Sequence, residues 1–125
     1  MSTRPKRFLL DTNIVIGLLK GPGAARELVD KSGGPPQDCA ISQITRMELL
    51  SFPGIKADEE MRVRDALDKM TVLLLDADVE RAAISLRLRA RLKLPDAIIA
   101  ATAEVHGLKL LTLDARLSGS LTRRT

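Results

Sequence analysis

The chain has 125 residues, of which 45% are hydrophobic and 29% charged, with two Phe, no Tyr and no Trp. That length predicts a single domain over 1–125 that buries roughly two thirds of its unfolded surface, and the composition excludes a disordered chain and base stacking on aromatic platforms. Twenty basic against sixteen acidic side chains leave a net charge of +4, a mild excess that suits a polyanionic partner.

Residues 1–6 read as a loose leader. The basic start "MSTRPKRF" has no long apolar region behind it, so it is not a secretory signal. No run reaches the ~18 apolar residues of a membrane span. The expected place is the cytoplasm, with no membrane partner. "RFLL" predicts a strand over about 7–10 that ends at Asp11. Thr12 or Asn13 could cap a following helix, in which Ile14 and Leu18, and Val15 and Leu19, keep helical spacing. "GPG" at 21–23 breaks it. "AARELVDK" reads as a second helix and "SGGPPQ" as a loop. "CAIS" is a second strand, in which Cys39 acts as a small buried hydrophobe; a lone cysteine excludes an internal disulfide. "SQITRMELLS" is a helix stopped by Pro53 and Gly54, and "DEEMRVRDALDKM" another with acids in its first turn. "TVLLL" is a strand. "DADVERAAISLRLRAR" reads as helix to about Arg91, because Ala82, Leu86 and Ala90 keep helical spacing, although "LRLRARLKL" alternates like a strand. "LPDAIIAATAEVHG" is the clearest helix, with Pro95 at its start, Gly107 at its exit and a buried run over 97–103. "LKLLTLD" is a last strand. "ARLSGSLTRRT" is a short final turn, with a basic tail over 119–125. This alternation predicts an α/β domain with a mostly parallel sheet and right-handed crossovers.

Most of the sixteen acids begin helices or sit on solvated faces. Four stand in apolar company: Asp11, Glu48, Asp96 and Asp114. Asp11 and Asp114 follow strands, and Asp96 opens the buried helix. In open α/β sheets ligands bind beyond the carboxyl ends of the strands, so these three can converge for a topological reason. Each acid also has a plainer reading. Asp11 and Asp114 would cap the helices behind them. Asp96 would be a favourable charge at a helix N-terminus. Glu48 would close a capping box with Thr45, unless Ser42 is the cap. Asp76 also ends a strand and reads as a helix cap. Converged carboxylates repel, and a hard divalent cation relieves them. His106, the lone histidine, lies at a helix C-terminus, which leaves little for a His-based triad or a zinc site. No phosphate-binding G-x-x-x-x-G-K-[ST] loop occurs. A metal held by carboxylates can activate water and clamp phosphate oxygens, which points to phosphodiester hydrolysis.

"LLDTNIVIGLL", "ISQITRMELL", "KLPDAIIAATA" and "LLTLD", in this order from about Phe8 to Asp114, resemble a PIN-domain ribonuclease of the kind found as VapC-like toxins in bacterial type II toxin–antitoxin pairs. The resemblance implies a PIN-like three-layer α/β sandwich around a mostly parallel sheet of about four or five strands. It implies Mg²⁺- or Mn²⁺-dependent endonucleolytic cleavage of RNA (tRNA, rRNA or mRNA), with a carboxylate-held metal and an activated water. The family's acids fall on Asp11, Glu48, Asp96 and Asp114 as catalytic residues, with Asp11, Asp96 and Asp114 on the metal. Thr12, Asn13 and Thr112 take supporting places. Where the last motif often continues into an acid and a Phe, this chain has Leu117 and Ser118, so the fourth carboxylate rests on Asp114 alone. The partners implied are RNA, a second copy in a homodimer, and a small DNA-binding antitoxin whose tail enters the acidic cleft. Arg87, Arg89, Arg91 and Lys93 would guide RNA or form a solvated helix face, and Arg123 and Arg124 would guide RNA or form part of the tail. The alternatives are a PIN nuclease with no toxin role and a catalytically silent PIN module that binds RNA or protein.

Overall fold

A computed structural model of the chain describes residues 6–33 and 36–122. Residues 1–5 of the expected leader, two residues of the Gly-Pro loop, and Arg123 and Arg124 lie outside the described residues. In chain order the elements are β1 (Phe8–Leu10), α1 (Thr12–Lys20), α2 (Ala24–Ser32), a 3-10 turn (Pro36–Asp38), β2 (Cys39–Ser42), α3 (Gln43–Leu50), α4 (Ala57–Asp68), β3 (Thr71–Leu73), α5 (Ala77–Ala90), α6 (Leu94–His106), β4 (Lys109–Leu111) and α7 (Ala115–Thr122). None of the described helices is long and apolar enough to cross a membrane.

The four strands form one parallel sheet in the order β3-β2-β1-β4. The chain winds from β1 outward through β2 to β3, then crosses back to lay β4 on the other side of β1. The switch point is therefore the gap between the carboxyl ends of β1 and β4, where an open sheet leaves a crevice.

Strand side chains alternate between the two faces. Leu9, Ala40 and Leu110 pack with Val79, Ala83, Leu86 and the Ala97–Ala101 run, beneath α5 and α6. Phe8, Leu10, Cys39, Ile41 and Leu111 pack with Ile14, Val15, Ala25, Leu49 and Leu67, beneath α1–α4. Two apolar layers on one thin sheet make a three-layer sandwich. Helix α6 is buried at every position from Ala97 to Ala103, and its one hydroxyl there, on Thr102, donates to Ile98 O at 2.7 Å. Cys39 is a buried free thiol whose pKa is pushed up by that burial, so it stays protonated and packs as a hydrophobe.

Several boundaries differ from those expected. Asp11, not Thr12 or Asn13, caps α1: its backbone is extended and its Oδ1 accepts from Thr12 N at 2.7 Å. Ser42, not Thr45, caps α3, with Oγ accepting from Thr45 N at 3.2 Å. Glu48 is then in the second turn, and its capping-box reading falls away. Strand β3 is shorter than "TVLLL", because Gln43 Oε1 takes the Leu75 N–H at 2.8 Å and turns the chain out of the sheet. Asp76 caps α5 as expected. Helix continues through "LRLRA" despite its alternation, ending at Arg91 in a left-handed conformation. At the other end of the chain, the short final turn is a helix, α7, that runs to Thr122.

Candidate active site

Asp11 stands at the first residue after β1, at the switch point, and is only 5% exposed. Its backbone N–H donates to Leu111 O at 3.0 Å, which carries the parallel β1–β4 pairing one step past the strand. Both carboxylate oxygens accept from the protein. Oδ1 takes the Thr12 N–H at 2.7 Å, and Oδ2 takes the Thr112 hydroxyl at 2.6 Å. The cap and the candidate functional group are thus one carboxylate. Burial raises the pKa of Asp11 above its ordinary 3.8. The Thr112 hydroxyl and the Thr12 N–H pull it down, and the negative charges of Asp96 and Glu48 push it up again.

Thr12 ties two acids together. Its N–H holds Asp11, and its hydroxyl donates to Glu48 Oε1 at 2.7 Å. Glu48 reaches this point because it lies two turns into α3, on the side that meets the start of α1. Asp96 arrives from the first turn of α6 and is half-buried. Pro95 beside it needs no N–H partner in that turn.

The loop after β4 is fastened in the same place. Asn13 Oδ1 accepts the Leu113 N–H at 3.2 Å, and Asp114 N donates to Thr112 Oγ1 at 3.0 Å. Asp114 Oδ1 accepts the Arg116 N–H at 2.9 Å, so one of its oxygens is committed to starting α7. The charges that act on Asp11 are those of Asp96 and Glu48. Among the described residues, no three His, Cys, Asp or Glu side chains stand close enough to hold a metal ion as they are placed. The donor chemistry nonetheless fits a hard cation: a buried carboxylate raised by burial and by two like charges is what a divalent ion relieves.

The four basic candidates divide. Arg87 Nη1 donates to Leu92 O at 3.3 Å, and Arg89 Nη2 lies 3.7 Å from Glu104 Oε2, so both brace the α5–α6 corner. Arg91 and Lys93 are exposed on the turn that leads to Asp96. Two residues were not singled out as site residues from the sequence: Ser42 and Thr45, both fully buried and bonded towards Thr12. In the sequence Ser42, Thr45 and Glu48 recur every three residues, which sets them on one face of α3.

A parallel sheet with its buried acid at the switch point is the frame of a known class. The family model of the PIN domain matches residues 8–119, and the chain belongs to the PIN-domain family of nucleases. It is similar to a chain of a toxin–antitoxin complex from Klebsiella pneumoniae, with 40% identity, 85% of each chain covered and a TM-score of 0.73. Its fold is similar to that of a chain of VapBC2 from Rickettsia felis bound to a promoter DNA fragment (20% identity, 86% of each chain, TM-score 0.68). It is also similar to that of a chain of VapBC-1 from nontypeable Haemophilus influenzae (19% identity, 93% of this chain and 92% of that one, TM-score 0.74). No curated protein gives a significant match.

Proposed function

We propose that the chain is a VapC-like toxin, an endoribonuclease dependent on Mg²⁺ or Mn²⁺. The observation that carries this reading is Thr12 joining Asp11 and Glu48, with the charge of Asp96 beside them, at the switch point of a PIN-domain sheet. Asp11, Asp96 and Asp114 would hold the cation, and Glu48 would bind it or its water. A bound divalent cation supplies the charge that polarises water and offsets the negative charge developing on phosphate. The protein's own part is positioning. Thr112 and the Thr12 N–H fix the plane of the Asp11 carboxylate, the Thr12 hydroxyl aims Glu48, and Asn13 fastens the loop that carries Thr112 and Asp114. Arg91 and Lys93, exposed beside Asp96, steer an RNA backbone towards it, with Arg87 and Arg89 adding charge.

The partners follow from the same reading. The first similar structure is a toxin–antitoxin complex, which supports a cognate antitoxin for this chain. That partner is a small DNA-binding protein whose tail enters the acidic cleft. The active species is a cytoplasmic homodimer. The test is cleavage of a mixed tRNA, rRNA and mRNA panel in Mg²⁺ by the wild type and by Asp11→Asn, purified identically and free of antitoxin. Discrete cuts are expected from the wild type, lost with EDTA and reduced at least about 100-fold in the variant, a loss of the size seen when one electrostatic element of a site is removed. Equal cutting by both proteins would overturn the assignment of Asp11. No cutting by a folded wild type would leave a silent binding module.

A further inference from the structure

Beyond the acids, the hydroxyls of Ser42 and Thr45, both buried at the start of α3, and of half-buried Thr12 at the start of α1 form a chain with only one consistent direction. Thr12 Oγ1 has a single proton and gives it to Glu48 Oε1 at 2.7 Å. At its 3.0 Å contact with Thr45 Oγ1, Thr12 can therefore only accept, and Thr45 is the donor. With its proton spent, Thr45 Oγ1 must itself accept, which it does from Ser42 Oγ at 3.3 Å. Ser42 Oγ in turn accepts the Thr45 N–H at 3.2 Å. The order Ser42, Thr45, Thr12, Glu48 is closed at its inner end by backbone and at its outer end by a carboxylate.

We infer that Thr45 is a positioning residue for the PIN-domain reaction, acting through the Thr12 hydroxyl on Glu48. The inference rests on the reading of this site as catalytic. A cap explains Ser42 but not Thr45, whose hydroxyl serves no backbone group. Ser42 and Thr45 are both 0% exposed, in a place where Ala and Val would fill the space without desolvating a hydroxyl. Thr45 and Thr12 are β-branched and stiff at χ1, so the contact between them holds the Thr12 hydroxyl on the bearing of Glu48. Without the Thr45 proton the Thr12 hydroxyl can turn away, and Glu48 regains its other rotamers. Outer residues of this kind commonly carry about ten- to one-hundred-fold of metal affinity or activity.

The experiment compares Thr45→Val, Thr45→Ser and Thr102→Val with the wild type. Thr102 is a second buried threonine whose hydroxyl donates within α6 and has no path to Glu48, so its variant reports the cost of losing a buried hydroxyl alone. Each protein is measured three ways: Mn²⁺ binding without RNA by electron paramagnetic resonance, kcat and KM on RNA, and urea unfolding. Thr45→Val is expected to weaken Mn²⁺ binding and lower kcat by about ten- to one-hundred-fold, with KM little changed. Thr45→Ser is expected to restore most of both, and Thr102→Val to leave both near wild type. Wild-type Mn²⁺ binding and kcat in Thr45→Val would overturn the inference. So would a Thr45→Ser variant no better than Thr45→Val, or an equal loss in Thr102→Val. If the wild type cuts no RNA, the nuclease reading fails on its own, and the Mn²⁺ titration still decides the role of Thr45.

Discussion

Asp11 is held in the fold at an electrostatic cost that its hydrogen bonds only partly offset. Its pKa is raised above 3.8, so its ionised form is disfavoured in the folded chain relative to the unfolded one. For a carboxyl shifted in this direction, the folded state binds the proton more tightly, and stability is lost as pH rises through the interval between the two pKa values. Asp11→Asn removes that charge and keeps an oxygen for the Thr12 N–H. In EDTA the variant is therefore expected to melt above the wild type at neutral pH. The gap should narrow as pH falls towards 3.8 and stay small below it. Thermal melts by circular dichroism at a series of pH values check this, and a gap independent of pH would show that the Asp11 charge is not its source. Adding Mn²⁺ should raise the wild-type melting temperature and leave the variant's nearly unchanged, because ligand binding to the native state stabilises it by mass action.

The close approach of α1 and α2 is decided at Gly17, where a methyl group would stand 2.5 Å from Ala25 Cβ. Two effects oppose each other in Gly17→Ala. Helix propensity favours alanine by about 1 kcal/mol, and overpacking a well-filled contact costs about 1–3 kcal/mol. Ala25 is buried, and the next turn of α2 adds Val29 to the same layer, so the contact has little room to yield. Net destabilisation is expected, and urea unfolding measures it. Gly17→Ala with Ala25→Gly should be less destabilised than the sum of the two single changes, the mark of residues in direct contact. An additive cycle, or a Gly17→Ala protein more stable than wild type, would mean that the helices separate freely here. This matters beyond stability, since α1 begins at Thr12 and its tilt sets where the Thr12 hydroxyl points.

In the whole molecule, the two faces of α5 behave differently. Val79, Ala83 and Leu86 are buried against α6, whereas Leu88 is 79% exposed and Ile84, one turn away, 53%. The exposed pair contributes nothing to this chain's core, so Leu88→Lys is expected to leave the urea midpoint within the small range of surface substitutions. If the homodimer uses this face, light scattering will show the mass of the wild type near two chains and that of Leu88→Lys near one. A wild type that stays monomeric at micromolar concentration would remove the homodimer from the proposed function, with the active-site argument untouched.

Much of this protein is legible along the chain, because helix and strand periods, Gly-Pro breaks and caps are local facts. The buried run of α6, the alternation of strands and helices and the Asp76 cap can each be read from a dozen neighbouring residues. The four acids stand out for a similar reason, since a charge in an apolar run is visible without a fold. Local reading leaves a choice open where neighbouring residues can each serve. Asp11 rather than Thr12 or Asn13 caps α1, and Ser42 rather than Thr45 caps α3, each one of the two readings the sequence offers, while β3 stops short of Leu74. What no local pattern contains is the strand order, which sets β4 beside β1 and brings the Thr112 hydroxyl to Asp11 across 101 residues of chain. Nor does it contain the direction of the Ser42–Thr45–Thr12–Glu48 bonds, which depends on α1 and α3 meeting at hydrogen-bond distance. Periodicity tells which face of an element avoids water. Only packing decides which other element covers that face, and a hydroxyl proton is assigned by the atoms packing brings within about 3 Å.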